Sequence, residues 1–183
     1  MGSKISSESP VNCNSNANVN IPWSEGSKYT KKLNFYAEAE CENSQPYSIH
    51  ASELLGKMKE LVDVEEHIIN VEYYTHPIDS LQRIDLVTKH AFIVFATETW
   101  WWFIEKNSRN VTFRRSKKKE AIICVSKKAT LDKDAPGKGS VLDLIRFLSE
   151  RNLVGKLYDI FDEKGFADRI WDAMTALIPT TSS

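Results

Sequence analysis

Cysteine and histidine are scarce in this sequence, and their spacing argues against a metal site. The 183 residues include four histidines and three cysteines, Cys13, Cys41 and Cys124. An odd number of widely spaced cysteines, with no Cys-x-x-Cys pair, is typical of free thiols in a reducing compartment. Because the histidines do not combine with the cysteines at the spacing of a zinc site, we predict no metal and no cofactor.

Long apolar runs are missing as well. No run approaches the length of a membrane span, and the N-terminus lacks the apolar stretch of a secretory signal. We therefore expect a cytoplasmic protein that is not secreted. The opening residues "MGSKIS" nevertheless fit the M-G-x-x-x-[ST] pattern for N-myristoylation of Gly2. The alternative is a chance match in a serine-rich tail, or a tag remnant beginning Met-Gly-Ser.

The net charge is only −1, so the chain as a whole has no attraction to nucleic acid. The charge is unevenly distributed, however, because residues 105–138 contain eleven basic and four acidic side chains. Its centre is "RRSKKK", residues 114–119. We predict that this segment contacts an anionic membrane surface, which suits a myristoylated protein because one acyl chain alone binds only marginally. A solvated hairpin tip is the alternative, and nucleic acid is a less favoured partner. The predicted anionic-surface residues are Arg114, Arg115, Lys117, Lys118 and Lys119.

Hydrophobic periodicity predicts an α+β fold. Residues 1–30 are rich in Ser and Asn and are predicted to be a disordered, lipidated tail; residues 31–178 form one domain, and residues 179–183 fray. We expect a four-stranded antiparallel meander with helices packed on it. Its strands are predicted at "RIDLVTKHAFIVFAT", "TWWWFIEK", "VTFRRS" and "EAIICVSK". The helices are predicted at "ASELLGKMKELVDVEEH", at "VLDLIRFLSERN" with Ser140 as its N-cap, and at "FADRIWDAMTALI".

Three consecutive tryptophans occupy the second predicted strand. Period-2 alternation places Trp100 and Trp102 on one face and Trp101 on the other, so at least one face must enter the core. Burial on both sides is the favoured interpretation. A ligand surface formed by Trp100 and Trp102 is the alternative, since an exposed indole suits a binding groove or a membrane interface.

The order of strands before helices, with a histidine at the head of the first long strand, resembles the circularly permuted papain-like hydrolases and acyltransferases, the group of lecithin retinol acyltransferase. The segments that carry the resemblance are "KHAFIVF", "WWWFIEKN" and "YDIFDEKGFADRIWD". The resemblance implies that His90 is a base, that a polar residue such as Glu105 orients it, and that a nucleophilic cysteine begins a later helix. Glu105 could instead pair with Lys106 or Arg114.

The chain departs from this family at the nucleophile. Aligning Phe166 with the motif places Glu163 where the cysteine belongs, and a carboxylate cannot act as the thiolate does. We therefore predict a catalytically inactive module that binds a membrane or a protein partner in a regulatory role. One alternative is a thiol hydrolase or acyltransferase using His90 with Cys124. The other is a single-strand nucleic-acid binder that uses the basic loop and the tryptophans. In a papain-like arrangement, His90 faces the helix N-terminus near Glu163 and Phe166.

Overall fold

The structure is a computed structural model that describes residues 29–39, 45–77, 89–123, 129–156 and 163–176, with the backbone alone at residues 77, 89, 163 and 164. The strands are β1 (Lys32–Tyr36), β2 (Tyr47–His50), β3 (Asn70–Pro77), β4 (Lys89–Ala96), β5 (Trp101–Lys106), β6 (Val111–Ser116) and β7 (Thr130–Pro136). The helices are α1 (Leu54–Leu61), α2 (Lys119–Ile123), α3 (Val141–Glu150) and α4 (Glu163–Thr175), and a 3-10 turn, Ala51–Glu53, precedes α1.

The described strands form one mixed sheet in the order β2-β1-β6-β5-β4-β3-β7. The pairing of β1 with β6 is parallel, and every other neighbouring pair is antiparallel. Short connections at residues 97–100 and 107–110 join β4, β5 and β6 in succession, and polar residues such as Thr97 and Asn107 interrupt the strand pattern there. The predicted α+β class is therefore confirmed.

The predicted sheet differs from the structure in three details. The predicted four-stranded meander is not confirmed, because only β4, β5 and β6 match predicted strands, and they lie within a seven-stranded mixed sheet. The prediction of a fourth strand at "EAIICVSK" was wrong at residues 120–123, which belong to the short helix α2, and its remaining residues lie outside the described part of the chain. Conversely, residues 130–136 form the edge strand β7, which is not among the predicted strands because charged residues and a proline interrupt its pattern. Such residues are common on edge strands, where they prevent further strand pairing.

One face of the sheet, called here the core face, carries the main hydrophobic core. Strand residues at alternate positions point into it, including Ile93 and Phe95 of β4 and Trp102 and Ile104 of β5. Helices α1, α3 and α4 cover this face with their buried side chains. The opposite face, called here the second face, holds a smaller buried cluster. Its members are Tyr74, Phe92, Val94, Phe103 and Ile122.

The predicted N-cap of α3 is confirmed. Ser140 has extended backbone angles, its hydroxyl accepts a hydrogen bond from the Asp143 amide, and the Asp143 carboxylate accepts from the Ser140 amide. This reciprocal capping box satisfies two amides that the helix cannot bond internally. The helix then directs its apolar side into the core, with Ile145 and Leu148 fully buried. Among the described residues, no helix combines the length and the apolar character that crossing a membrane requires.

Candidate functional site

The second face carries the titratable residues that sequence analysis identified around His90. On β4, His90 alternates with Ala91 and Ile93 of the core face and therefore points to the second face, together with Phe92 and Val94. Glu105 reaches the same face from β5, next to Phe103. The predicted pairing of these two residues is present, because Nε2 of His90 donates a hydrogen bond to Oε1 of Glu105.

A second imidazole joins this pair. His76 of β3 lies directly opposite His90 of β4 in the antiparallel register. The two rings meet edge to face, with centroids 4.9 Å apart and an interplanar angle of 63°. One potential ligand atom from each of His76, His90 and Glu105 lies within 4.8 Å of the others. We call these three residues the two-histidine cluster.

The surroundings favour a charged Glu105. Burial alone would raise the pKa of its carboxyl group, but the hydrogen bond from His90 and the positive charges of His90, His76 and Arg114 outweigh that effect and lower it. The carboxylate side chain is 18% exposed and that of His90 is 6% exposed. An ionised carboxylate therefore sits in a largely buried position, where its interaction with imidazole is stronger than in water.

The basic segment is largely packed against the protein. The guanidinium of Arg114 stacks over Tyr36 at 4.8 Å from the ring centroid. Arg115 donates from Nε to the Ala37 carbonyl at 2.8 Å and stacks over Trp100 at 4.1 Å. These contacts hold both arginine side chains against the sheet, so their charged groups are less available to a binding partner.

The three lysines of the segment differ from one another. Lys119 forms an ion pair with the buried Glu72 at 2.6 Å and lies over Trp101. Lys117 and Lys118 are exposed, and Nζ of Lys117 lies 5.1 Å from the Trp100 ring centroid. Of the predicted anionic-surface residues, Lys117 and Lys118 are therefore the best presented to solvent.

The two candidate ligand-surface tryptophans have different environments. Trp102 is fully buried, with its ring 5.8 Å from Phe95 and 5.1 Å from Phe113. The proposal that Trp102 forms part of a ligand surface was therefore wrong, because its alternating position on β5 carries it into the core. Trp100 precedes β5, is only partly buried, and remains at the edge of the core with Arg115 and Lys117 around it.

The geometry implied by the papain-like resemblance is not found among the described residues. Phe166 is buried in the hydrophobic core on the core face, whereas His90 points to the second face. The N-terminal end of α4 therefore belongs to the side of the sheet opposite the imidazole. Glu163 begins α4, but its side chain is outside the described atoms, as are Gly2, Cys124, residues 1–28 of the predicted tail 1–30, and the predicted frayed end 179–183.

Comparison with known proteins adds no relative to this picture. The chain matches no protein-family model, no curated protein and no solved structure. Sequence analysis missed His76, because the three members of the two-histidine cluster stand 14 and 15 residues apart along the chain. The available signal was the strand pattern of "NVEYYTH", which pairs beside "KHAFIVF" and brings the two histidines into register.

Proposed function

We propose that the protein is a non-enzymatic binding module that attaches to the cytoplasmic face of an anionic membrane in a regulatory role. The attachment would combine a myristoyl group on Gly2 with a protein surface formed by Trp100, Lys117 and Lys118, called here the tryptophan–lysine surface. The observation that carries the proposal is the exposed Lys117, whose Nζ lies 5.1 Å from the centroid of the partly buried Trp100 ring, with the exposed Lys118 next in the chain.

The chemistry of this surface matches a membrane interface. Tryptophan has an apolar body and a polar N–H, so it favours the boundary between headgroups and acyl chains. Each lysine near an anionic leaflet adds about 1 kcal/mol of attraction. Two lysines would therefore strengthen binding by roughly 30-fold, which complements the marginal affinity of a single myristoyl chain.

The packing of Arg114, Arg115 and Lys119 limits the residues that can contact the membrane electrostatically. Arg114 and Lys119 belong to the second face, where Lys119 is held by Glu72. Arg115 packs against Trp100 rather than extending into solvent, because its guanidinium lies 4.1 Å from the centroid of the Trp100 ring. We therefore assign Arg115 a positioning role and assign Lys117 and Lys118 the electrostatic contact.

A vesicle-binding experiment tests the proposal. The myristoylated full chain is sedimented with phosphatidylcholine vesicles, with and without phosphatidylserine. Lys117→Ala/Lys118→Ala should weaken binding to the anionic vesicles by roughly 30-fold. The matched control, Lys59→Ala/Lys156→Ala, removes two exposed lysines elsewhere on the protein and should change binding little.

Three outcomes would contradict this proposal. Equal losses in the two double variants would mean that only total charge matters. Unchanged sedimentation of Gly2→Ala would exclude the acyl anchor. Salt-sensitive binding to a single-stranded oligonucleotide, stronger than binding to anionic vesicles, would favour nucleic acid instead.

A thiol hydrolase or acyltransferase is a second candidate, favoured by the hydrogen bond between His90 and Glu105. A carboxylate that orients an imidazole is the usual partner of a general base. Cys124 would be the nucleophile, and it follows Ile123, which packs against the second-face cluster. A thiol-directed acyl probe should then label Cys124 faster than a free thiol, and His90→Gln should abolish that advantage. Labelling at the rate of a free thiol would exclude the enzyme.

A further inference from the structure

We propose that the two-histidine cluster binds a divalent transition-metal ion, with His76, His90 and Glu105 as its protein ligands. The motivating observation is the convergence of two imidazoles and one carboxylate from three adjacent strands, with ligand atoms within 4.8 Å of one another. This site is distinct from the tryptophan–lysine surface, because Trp100 precedes β5 and packs against the core face, whereas Glu105 lies near the far end of β5 on the second face.

The ligand set selects the class of ion. Two neutral imidazole nitrogens and one carboxylate oxygen suit Zn²⁺ and related borderline ions such as Co²⁺ and Ni²⁺, whereas Mg²⁺ and Ca²⁺ prefer oxygen ligands alone. Three protein ligands also leave a fourth tetrahedral position for water or another small ligand. We therefore take Zn²⁺ as the ion and Co²⁺ as its spectroscopic substitute.

Metal binding would require the ligand atoms of the cluster to move. Zinc–ligand bonds of about 2.0–2.2 Å place tetrahedral ligand atoms roughly 3.3–3.5 Å apart. The cluster, at up to 4.8 Å, would have to contract at its widest separation. The hydrogen bond from His90 to Glu105 would be exchanged for two metal bonds, with release of the shared proton to solvent.

The sheet supplies the rigidity that a metal site needs. His76 and His90 are cross-strand partners, and Phe92 lies between the cluster and the rest of the second face, 6.1 Å from the His76 ring. Sites built on strands hold their ligands more firmly than sites on loops. His76 is only half-buried, so the ion can enter from its side.

Calorimetric titration of the full chain with ZnCl₂ tests the proposal. We expect one Zn²⁺ per chain in the wild type. In His76→Gln, affinity should fall by more than the 10- to 100-fold that loss of an outer-shell partner costs. The matched control, His50→Gln/His67→Gln, removes two exposed histidines outside the cluster and should keep full affinity.

Two further measurements make the test independent of folding defects. Co²⁺ should give the visible absorption of a tetrahedral site in the wild type and in the control. His76→Gln and Glu105→Gln should lose this absorption while keeping the far-ultraviolet circular dichroism of the folded protein. Because His76 is half-buried, its substitution is the variant that best preserves the fold.

Any of three results would overturn the metal site. These are affinity in His76→Gln equal to wild type, loss of binding in the His50→Gln/His67→Gln control, and loss of binding in a chain with Cys13, Cys41 and Cys124 replaced by serine. The last result would assign the ion to thiolates rather than to the two-histidine cluster. Neither vesicle binding nor its failure bears on these outcomes.

Discussion

The two faces of the sheet are built on opposite principles. The core face is continuous and apolar, and helices α1, α3 and α4 cover it. Among the residues that the structure describes, the second face has an apolar cluster of only five buried residues, bordered by the ionisable groups Glu72, His90 and Glu105. The two faces therefore have different roles. Burial on the core face specifies the fold, and the second face retains polar chemistry that a protein selected for stability alone would replace with apolar side chains.

The largest expected effect compares two phenylalanines on one strand. Phe95 and Phe92 are both at most 1% exposed, but Phe95 points to the core face and Phe92 to the second face. Phe95→Ala should destabilise the protein by about 5 kcal/mol, near the upper end for such changes, because its cavity lies between rigid aromatic rings. Phe92→Ala should cost about 3 kcal/mol, because fewer buried groups surround it. Urea denaturation measures both.

Equal losses, or a larger loss for Phe92→Ala, would contradict this comparison. Such a result would mean that the second-face cluster contributes to stability as much as the main core. The pair is well matched, since residue type, strand and burial are shared and only the direction of the side chain differs.

The next effect concerns the buried ion pair of the second face. Glu72 accepts hydrogen bonds from Lys119 at 2.6 Å and from the Tyr74 hydroxyl at 2.9 Å, so it ties α2 to β3. Glu72→Ala leaves both donors without this acceptor and should cost about 2 kcal/mol, below the 3–5 kcal/mol of a fully buried pair because Lys119 is 30% exposed.

The control for this prediction is Glu60→Ala on α1. Glu60 pairs with Lys57 at 2.8 Å, a distance similar to that in the buried pair, but both side chains are mostly exposed. Exposed ion pairs rarely contribute measurable stability, so thermal unfolding of Glu60→Ala should match the wild type. If the two variants lost equal stability, burial would not be the property that distinguishes the two pairs.

Sequence reasoning worked where a local pattern determines the structure. The alternation of "WWWFIEK" correctly placed Trp100 and Trp102 on the face opposite Trp101, because strand periodicity needs no knowledge of the partner strand. The same is true of Ser140, whose cap depends on Asp143 three residues later.

The failures concern features that depend on distant parts of the chain. The parallel pairing of β1 with β6 places Leu33 beside Val111, and no local sequence pattern predicts such a contact. His76 was missed for the same reason, since only the β3–β4 register brings it to His90. The apolar residues of the α2 segment have the pattern of a strand, which predicted a strand there. The helix instead begins with Lys119, which forms an ion pair with Glu72 of β3, so a tertiary contact overrides the local pattern.

The smallest expected effect compares how the two faces anchor their helices. On the core face, α3 is fixed by its own capping box, whereas on the second face α2 is fixed by an ion pair to another strand. Ser140→Ala removes the side-chain acceptor of the Asp143 amide at 3.2 Å and should cost about 1 kcal/mol. Ser149→Ala, at an exposed position late in the same helix, should leave the unfolding midpoint unchanged. Because the cap is local, Ser140→Ala and Glu72→Ala should add in the double variant; a clear departure from additivity would mean that the two faces are coupled through the sheet.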